Sequence, residues 1–498
     1  MKFQPASAFV GSAPAYQLLP LRFRRLPWDP ARVFVSSTAG DWLTCQHEEL
    51  VQLLNGDLPV DSALMQDLQA RHIVAGPLDT LTLSPLLSQL RTRKGYLEGG
   101  PALHIIVVSL RCHHSCSYCQ VSRQNTLKRQ FDLQEALNVQ LVERLFQWPS
   151  PTLTIEFQGG EPLLNFEQVK ALTELIQARN RREGRALRFV IASTLHGITD
   201  AQLEFFGTHG FELSTSLDGP AWLHNANRPT PTRDSYERTI AGIDKARAVL
   251  GHDCVSALTT LTAKSLTAPE DIIEEYRQQG FHSISLRPLS PYGFARKTAS
   301  RIGYTMRDFL AFYRRALDTI IQVNQDGFAL EETHASLLLT QLLTPFSHGY
   351  VDLRSPMGAG VGAVVYDYDG RVYPSDEARM LAAQGEDRFC LGTLDQPVHE
   401  WLASPAMQEL QAGGVAEALP GCSDCAYVPL CGADPVDHFA RQGDVVGHRP
   451  TSDFCTKQMG MFDLLLERME NALPAERRIL EGWATGARQI APAMEPIH

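Results

Sequence analysis

The sequence predicts an α/β fold: a partial (β/α)6 barrel or open parallel sheet, with a small N-terminal module before it and a cysteine-bearing C-terminal extension after it. Between residues 104 and 300, apolar runs alternate with helical periodicity six times, the pattern of strands joined by right-handed crossovers. The polar motifs that could carry chemistry follow the first, second and fourth of those runs, and sites in such folds gather at the strands' carboxyl ends. After about residue 300 the rhythm stops.

Leu21–Leu26, Val33–Ser36 and Trp42–Thr44 alternate as short strands, and Gln46–Leu54 and Ser62–His72 have helical spacing, so the start of the chain reads as a winged-helix-like module. Residues 75–100, with Gly, Pro and Leu and a closing Gly99-Gly100, read as a linker. The barrel strands are expected at Ile105–Leu110, Leu153–Phe157, Phe189–Ser193, Leu213–Leu217, Val255–Thr260 and Ile284–Leu286. Asp132–Gln147, Phe166–Arg182 and Asp234–Leu250 supply helices between them, and Met306–Asn324 and Leu330–Leu343 supply helices beyond. The expected units are 1–98 for module and linker, 99–300 for the barrel, and 301–498 for the helical region and extension.

A hydrophobic content of 44% suffices for packed cores, and a formal charge of −11 argues against nucleic acid as the main partner. Arg22, Arg24 and Arg25 read as a solvated strand face. No apolar stretch is long enough for a membrane span and the N-terminus lacks a signal-peptide pattern, so no membrane is expected and the cytoplasm is the expected compartment. Seven of the ten cysteines fall into two short-spaced groups, which favours metal ligation over disulfides. Cys45, Cys254 and Cys390 read as buried free thiols.

Cys112, Cys116 and Cys119 form C-x3-C-x2-C at the end of the first barrel strand. Three close thiolates fit three corners of a 4Fe-4S cubane and leave one iron open for a ligand from outside the protein. In radical chemistry that ligand can be S-adenosylmethionine, and the radical it yields takes hydrogen from unactivated carbon. The same spacing also suits a zinc loop or buried structural thiols. Gly159-Gly160-Glu161-Pro162 ends the second strand; its lack of Cβ atoms lets a ligand approach backbone carbonyls, and Glu161 offers a carboxylate to an ammonium group. Ser216 and Arg228 suit a carboxylate, and Thr194 a ribose hydroxyl. His113 and His114 read as side chains over the cysteine loop. A second group, Cys422-x2-Cys425-x5-Cys431 with Cys455 farther on, suits a closed 4Fe-4S site or a structural zinc.

Together these motifs resemble the radical S-adenosylmethionine (SAM) superfamily. Cys112-His113-His114-Ser115-Cys116-Ser117-Tyr118-Cys119 matches its cluster loop, with the aromatic Tyr118 before the third cysteine, and Glu156-Phe157-Gln158-Gly159-Gly160-Glu161-Pro162 matches its methionine-binding segment. The last cysteines resemble the SPASM extension of peptide-modifying members, whose full form carries two auxiliary clusters. This chain departs from that form: Val364–Gly370 has no cysteine, Ser375 stands where one would be, and Pro435 follows Cys431 by four. The resemblance therefore implies one auxiliary 4Fe-4S cluster, on Cys422, Cys425, Cys431 and Cys455. It also implies a proton-accepting role for Asp376, where sulfatase-maturing relatives have an aspartate.

Most of the chain resembles the B-type radical maturases of the His-Xaa-Ser system. Leu110-Arg111-Cys112, Gln120–Gln124, Ser216–Ala221, Arg287–Gly293 and Gly349–Leu353 carry that likeness. It implies a precursor peptide bearing His-Xaa-Ser repeats as substrate, a second radical SAM protein as partner, and an electron donor such as flavodoxin or ferredoxin. The expected function is hydrogen abstraction that installs a crosslink or oxidation. A formylglycine-forming sulfatase maturase and a non-catalytic, metal-stabilised peptide-binding protein are the competing readings.

Overall fold

The computed structural model describes residues 16–76, 83–347 and 350–486, so Gly349 lies outside the described residues. After β1 (Gln17–Leu18), strands β2 (Leu21–Arg25), β3 (Arg32–Ser37) and β4 (Trp42–Gln46) form an antiparallel sheet. Helices His47–Asn55 and Ala63–Ala70 follow, and β5 (Val74–Ala75) returns to pair with β1. Val33, Val35, Leu50, Leu53, Met65 and Leu68 give this module its own core. Its helix starts are specified locally: Ser62 caps the second helix by accepting from the Met65 N–H at 3.2 Å.

The expected linker contains a helix, Leu83–Lys94. Its basic end is tied to the far part of the chain: Arg93 donates to the Gln341 carbonyl at 3.2 Å and Lys94 pairs with Glu417 at 2.6 Å. Those tertiary contacts, absent from any local pattern, hold a Gly/Pro-flanked segment as a strap.

β6 (Leu103–Ser109), β7 (Thr152–Gly159), β8 (Ala186–Ala192), β9 (Phe211–Ser216) and β10 (Val255–Thr260) run parallel in chain order. The expected sixth strand divides. β11 (Ser283–Ile284) pairs with β13 (Glu331–Glu332), while β12 (Leu286–Arg287) completes the parallel series beside β10. Six parallel strands and their crossover helices therefore make the partial barrel. The helix expected from Asp132 begins at Asn138, after a short turn.

Alternation sorts the faces of each strand. In β7, Leu153, Ile155 and Phe157 are buried against the outer helices, leaving Thr154, Glu156 and Gln158 for the lumen. Beyond the barrel come helices Met306–Gln325 and Thr333–Leu343. Then β14 (Ala363–Tyr366) adds parallel to β6, and β15 (Arg371–Tyr373) and β16 (Gly392–Thr393) extend the sheet antiparallel to nine strands. Ser375 caps the helix Asp376–Ala382 by accepting from the Ala378 N–H at 3.3 Å, and Pro435 starts the helix Pro435–Gln442. Ser375 and Pro435 thus both serve as helix starts. Among the described residues no helix is long and apolar enough to cross a membrane.

Candidate active site

Cys112, Cys116 and Cys119 sit on the loop that leaves β6, and neighbouring backbone pins that loop on two sides. The Ser115 and Ser117 N–H groups donate to the Pro229 and Asn227 carbonyls at 2.8 and 3.0 Å, while the Cys119 carbonyl accepts from Phe294 at 2.7 Å. Burial raises the pKa of all three thiols, Cys116 to about 12, so thiolates here need a cation between them. Three thiols sharing that requirement on one loop, Cys112 buried and Cys116 and Cys119 half-buried, fit a cluster held at three corners.

Gly159 and Gly160 close directly on this loop. A Cβ on Gly159 would lie 2.0 Å from the Ser109 oxygen, and one on Gly160 would lie 2.4 Å from the oxygens of Leu110 and Arg111. The glycines are therefore needed for approach of the cluster strand's own backbone, with Gly160 donating to the Ser109 carbonyl at 2.8 Å. Pro162 then begins a short turn, Pro162–Asn165.

Glu161 is 1% exposed and takes four hydrogen bonds. One oxygen accepts from the Leu163 N–H at 3.0 Å and the Ser193 hydroxyl at 2.8 Å; the other accepts from the N–H and hydroxyl of Thr194 at 2.8 and 2.6 Å. The carboxylate holds the end of β8, and the Thr194 hydroxyl donates to it.

Arg228 follows the helix Ala221–Asn227. It is 8% exposed and donates through one terminal nitrogen to the Tyr118 hydroxyl at 2.8 Å. That hydroxyl donates in turn to Asp218, whose oxygens lie 2.7 and 2.9 Å away. Burial opposes the guanidinium charge, but Cys116, Tyr118 and Asp218 hold it protonated. The arginine thus places positive charge behind the cysteine loop. Ser216, half-buried, ends β9 two residues before Asp218.

His113 and His114 lie over the cysteine loop beside two residues the motifs do not single out, Asp218 and His196. His114 is 1% exposed, neither of its ring nitrogens has a hydrogen-bond partner, and burial pushes its pKa down to about 2. Its ring meets His196 edge-on at 5.7 Å, and His113 stacks on the same ring at 4.8 Å. Asp218 had a signal in Ser216-Leu217-Asp218-Gly219, at a strand end. His196 had none.

Below the glycine pair the lumen opens into a cavity of about 430 Å³, lined by Glu156, Gln158, Arg287, Asp376, Glu377 and Asp434 among others. Burial and the charge of Asp376 raise the carboxyls of Glu156 and Glu377 to about 7. Asp376 itself accepts from Arg379 at 3.0 Å.

Cys422, Cys425, Cys431 and Cys455 line a second, separate cavity of about 330 Å³ with mostly apolar walls. Burial raises Cys455 to about 11, and raises Cys425 and Cys431 as well. Arg449 donates to the Cys422 sulfur at 3.0 Å. Among the described residues, no three His, Cys, Asp or Glu side chains gather as ligands of a single ion. Of the remaining cysteines, Cys45 is buried as expected, whereas Cys254 and Cys390 are only half-buried.

The Radical SAM superfamily profile matches residues 106–276, the span from β6 to the helix before β11. The chain belongs to the radical SAM superfamily. An uncharacterised protein of Methanothermobacter thermautotrophicus is 30% identical over 195 residues, covering 38% of this chain and 69% of that protein. The cysteine-type anaerobic sulfatase-maturating enzyme of Clostridium perfringens is 23% identical over 66% of this chain and 88% of its own. Among solved structures, native anSMEcpe with bound AdoMet and Kp18Cys peptide superimposes with a TM-score of 0.63 at 18% identity, over 76% of this chain and 100% of that one. Streptococcus suis SuiB bound to precursor peptide SuiA gives 0.52 at 13% identity, over 88% of this chain and 99% of that one. These two structures, each with a peptide bound, share the fold described here.

Proposed function

We propose that this radical SAM protein is a peptide maturase that abstracts hydrogen from a ribosomally made precursor and installs a crosslink or oxidation. The observation that carries this reading is the cavity of about 430 Å³ beginning at Gln158, one residue before the glycine pair that closes on the cluster loop. A side chain entering that lumen comes under the cofactor's site with carboxylates beside it. When bound, the cluster and S-adenosylmethionine supply the radical that takes the hydrogen atom. Cys112, Cys116 and Cys119 would hold that cluster, and Arg228 balances its charge from behind the loop.

The chain's own residues do the rest. Glu161 fixes the Ser193-Thr194 strand end at the mouth of the barrel, and Tyr118 locks the cluster loop to Asp218. Glu156, Asp376 and Glu377 surround the place where a proton leaves as an oxidised product forms, and a carboxyl near neutral pKa suits a base. The substrate is a precursor bearing His-Xaa-Ser repeats, recognised in part by residues 16–75, whose small sheet can take an extended strand at its edge. A flavodoxin or ferredoxin delivers electrons, and a second radical SAM protein of the same system is a partner.

The four C-terminal cysteines are assigned an auxiliary 4Fe-4S cluster. All four line one cavity of about 330 Å³, which leaves room for such a cluster.

The likeness to a sulfatase-maturating enzyme favours a second reading, formylglycine formation. A single auxiliary cysteine set and the N-terminal module weigh against it. Anaerobic reconstitution with S-adenosylmethionine, reductant and either a His-Xaa-Ser peptide or a sulfatase-derived peptide separates the two by mass spectrometry. Loss of hydrogen from the repeat peptide alone is expected; turnover of the sulfatase peptide alone would establish the second reading.

A further inference from the structure

Arg22, Arg24 and Arg25 do not form a solvated face as a set. Arg25 is exposed, but the side chains of Arg22 and Arg24 reach across to the turn that carries Cys422 and Cys425. Arg22 donates to the Ser423 carbonyl at 2.6 Å, and Ser36 on the next strand donates to the Ala426 carbonyl at 2.7 Å. Between them, the Arg24 guanidinium lies 4.8 Å over the Tyr427 ring and pairs with Asp463 at 3.1 Å. Tyr427 donates to the other oxygen of Asp463 at 2.6 Å, and its ring packs 5.1 Å from Phe34 of β3. The module therefore grips the two-cysteine turn from three directions.

Phe23 and Arg24 also line the cavity that the four cysteines surround. Arg24 and Arg449, both in the wall of that cavity, each have one buried guanidinium nitrogen without a hydrogen-bond partner in the protein. An iron-sulfur cluster on four thiolates is anionic, its sulfurs accept hydrogen bonds, and nearby charge and donors set its reduction potential. Unused donors on two cations match that requirement.

We propose that the N-terminal module is a wall of the auxiliary cluster site and that Arg24 is a positioning residue for the cluster, so that cluster binding and module docking stabilise each other. The proposal rests on the assignment of a cluster to Cys422, Cys425, Cys431 and Cys455. Its physical content is reciprocal linkage: a group that binds only the docked arrangement must stabilise that arrangement. A peptide held by the module would then be sensed at the auxiliary cluster, and the cluster's state would be felt at the peptide site.

The test uses the full chain with Cys112, Cys116 and Cys119 changed to alanine, so that the auxiliary cluster alone gives the iron signal. Iron content, the midpoint potential from an EPR-monitored titration, and amide hydrogen exchange are measured on that parent protein and on its Arg24→Gln and Arg24→Lys versions. The lysine version is included because lysine keeps the charge but not the fork. About four irons per chain are expected in each. Removing the positive charge disfavours the more negative reduced cluster, so Arg24→Gln should lower the midpoint, with Arg24→Lys between it and the parent. Chelation of the iron should speed exchange in β2 and β3 by about tenfold or more, the effect of losing one charged hydrogen bond, and leave β8 unchanged. Equal midpoints in all three proteins, with iron present, would overturn the role of Arg24. Unchanged exchange after chelation would overturn the linkage. Zinc at these cysteines with no iron would overturn the cluster assignment beneath both.

Discussion

Arg111 and Asp132 form a bidentate ion pair at the carboxyl end of β6, with nitrogen-oxygen distances of 2.7 and 2.8 Å. Both are nearly buried, at 6% and 9% exposure, and Ser109 adds a hydrogen bond to the same carboxylate at 2.7 Å. Arg111 also donates to the carbonyls of Thr126 and Leu164 at 2.9 and 2.6 Å, joining the cluster loop to the turn after Glu161. The pair thus holds the loop on which three thiols must face one cluster.

Breaking a buried pair leaves an uncompensated charge, at a cost of about 3–5 kcal/mol. Asp132→Ala is expected to lower the anaerobic melting temperature and to reduce iron retained at Cys112, Cys116 and Cys119, with the C-terminal cysteines keeping theirs. Iron analysis and melting of the variant check this. Full iron with an unchanged melt would show that the loop is held by its backbone contacts alone.

Glu161→Gln should weaken S-adenosylmethionine binding about tenfold or more while both clusters stay in place. The carboxylate collects four donors, and hydrogen bonds to a charged acceptor contribute about 1.5–3 kcal/mol each. A neutral amide turns one acceptor into a donor facing Thr194 or Ser193, displacing that strand end from the mouth. Equilibrium binding to the reconstituted protein measures the effect, and an affinity equal to wild type would contradict it.

Much of this barrel was legible because its strands carry their own period. Leu153, Ile155 and Phe157 alternate with Thr154, Glu156 and Gln158, so one stretch of sequence declares both an outer and an inner face. The cysteine loop and the glycine pair were legible as spacing. What the glycines face was not, since the Ser109 and Leu110 oxygens are brought to them by parallel pairing of strands some fifty residues apart. Tyr118 and Asp218 are a hundred residues apart, and nothing local to either names the other. Arg22 and Arg24 look like any charged edge until the C-terminal turn arrives beside them. Strand six was read as continuous because Ile284 and Leu286 share an apolar run, yet they pair with different strands.

Product formation should depend on pH through the lumen carboxyls. Glu156 and Glu377 sit near 7, above the ordinary carboxylate value, so they are protonated below neutrality and become acceptors above it. Peptide product per deoxyadenosine should therefore rise through about pH 7 and fall on the acid side. Asp376→Asn removes the negative charge that helps raise both neighbours, which moves this limb to lower pH. If Asp376 is itself the base, the same variant loses most product while deoxyadenosine forms as before. A pH profile and yield identical to wild type would exclude a role for Asp376 in proton removal.

Cofactor cleavage is the most direct test of the central claim, that the three-cysteine loop and the Glu161 segment form a radical SAM site above a peptide-binding lumen. Anaerobically reconstituted protein with dithionite, S-adenosylmethionine and a His-Xaa-Ser precursor should yield 5′-deoxyadenosine. With a precursor deuterated at the reacting carbon, the deuterium should appear in the deoxyadenosine. Cys112→Ala should abolish both. Wild-type protein carrying its full iron and binding the cofactor, yet forming no deoxyadenosine with or without peptide, would contradict the account.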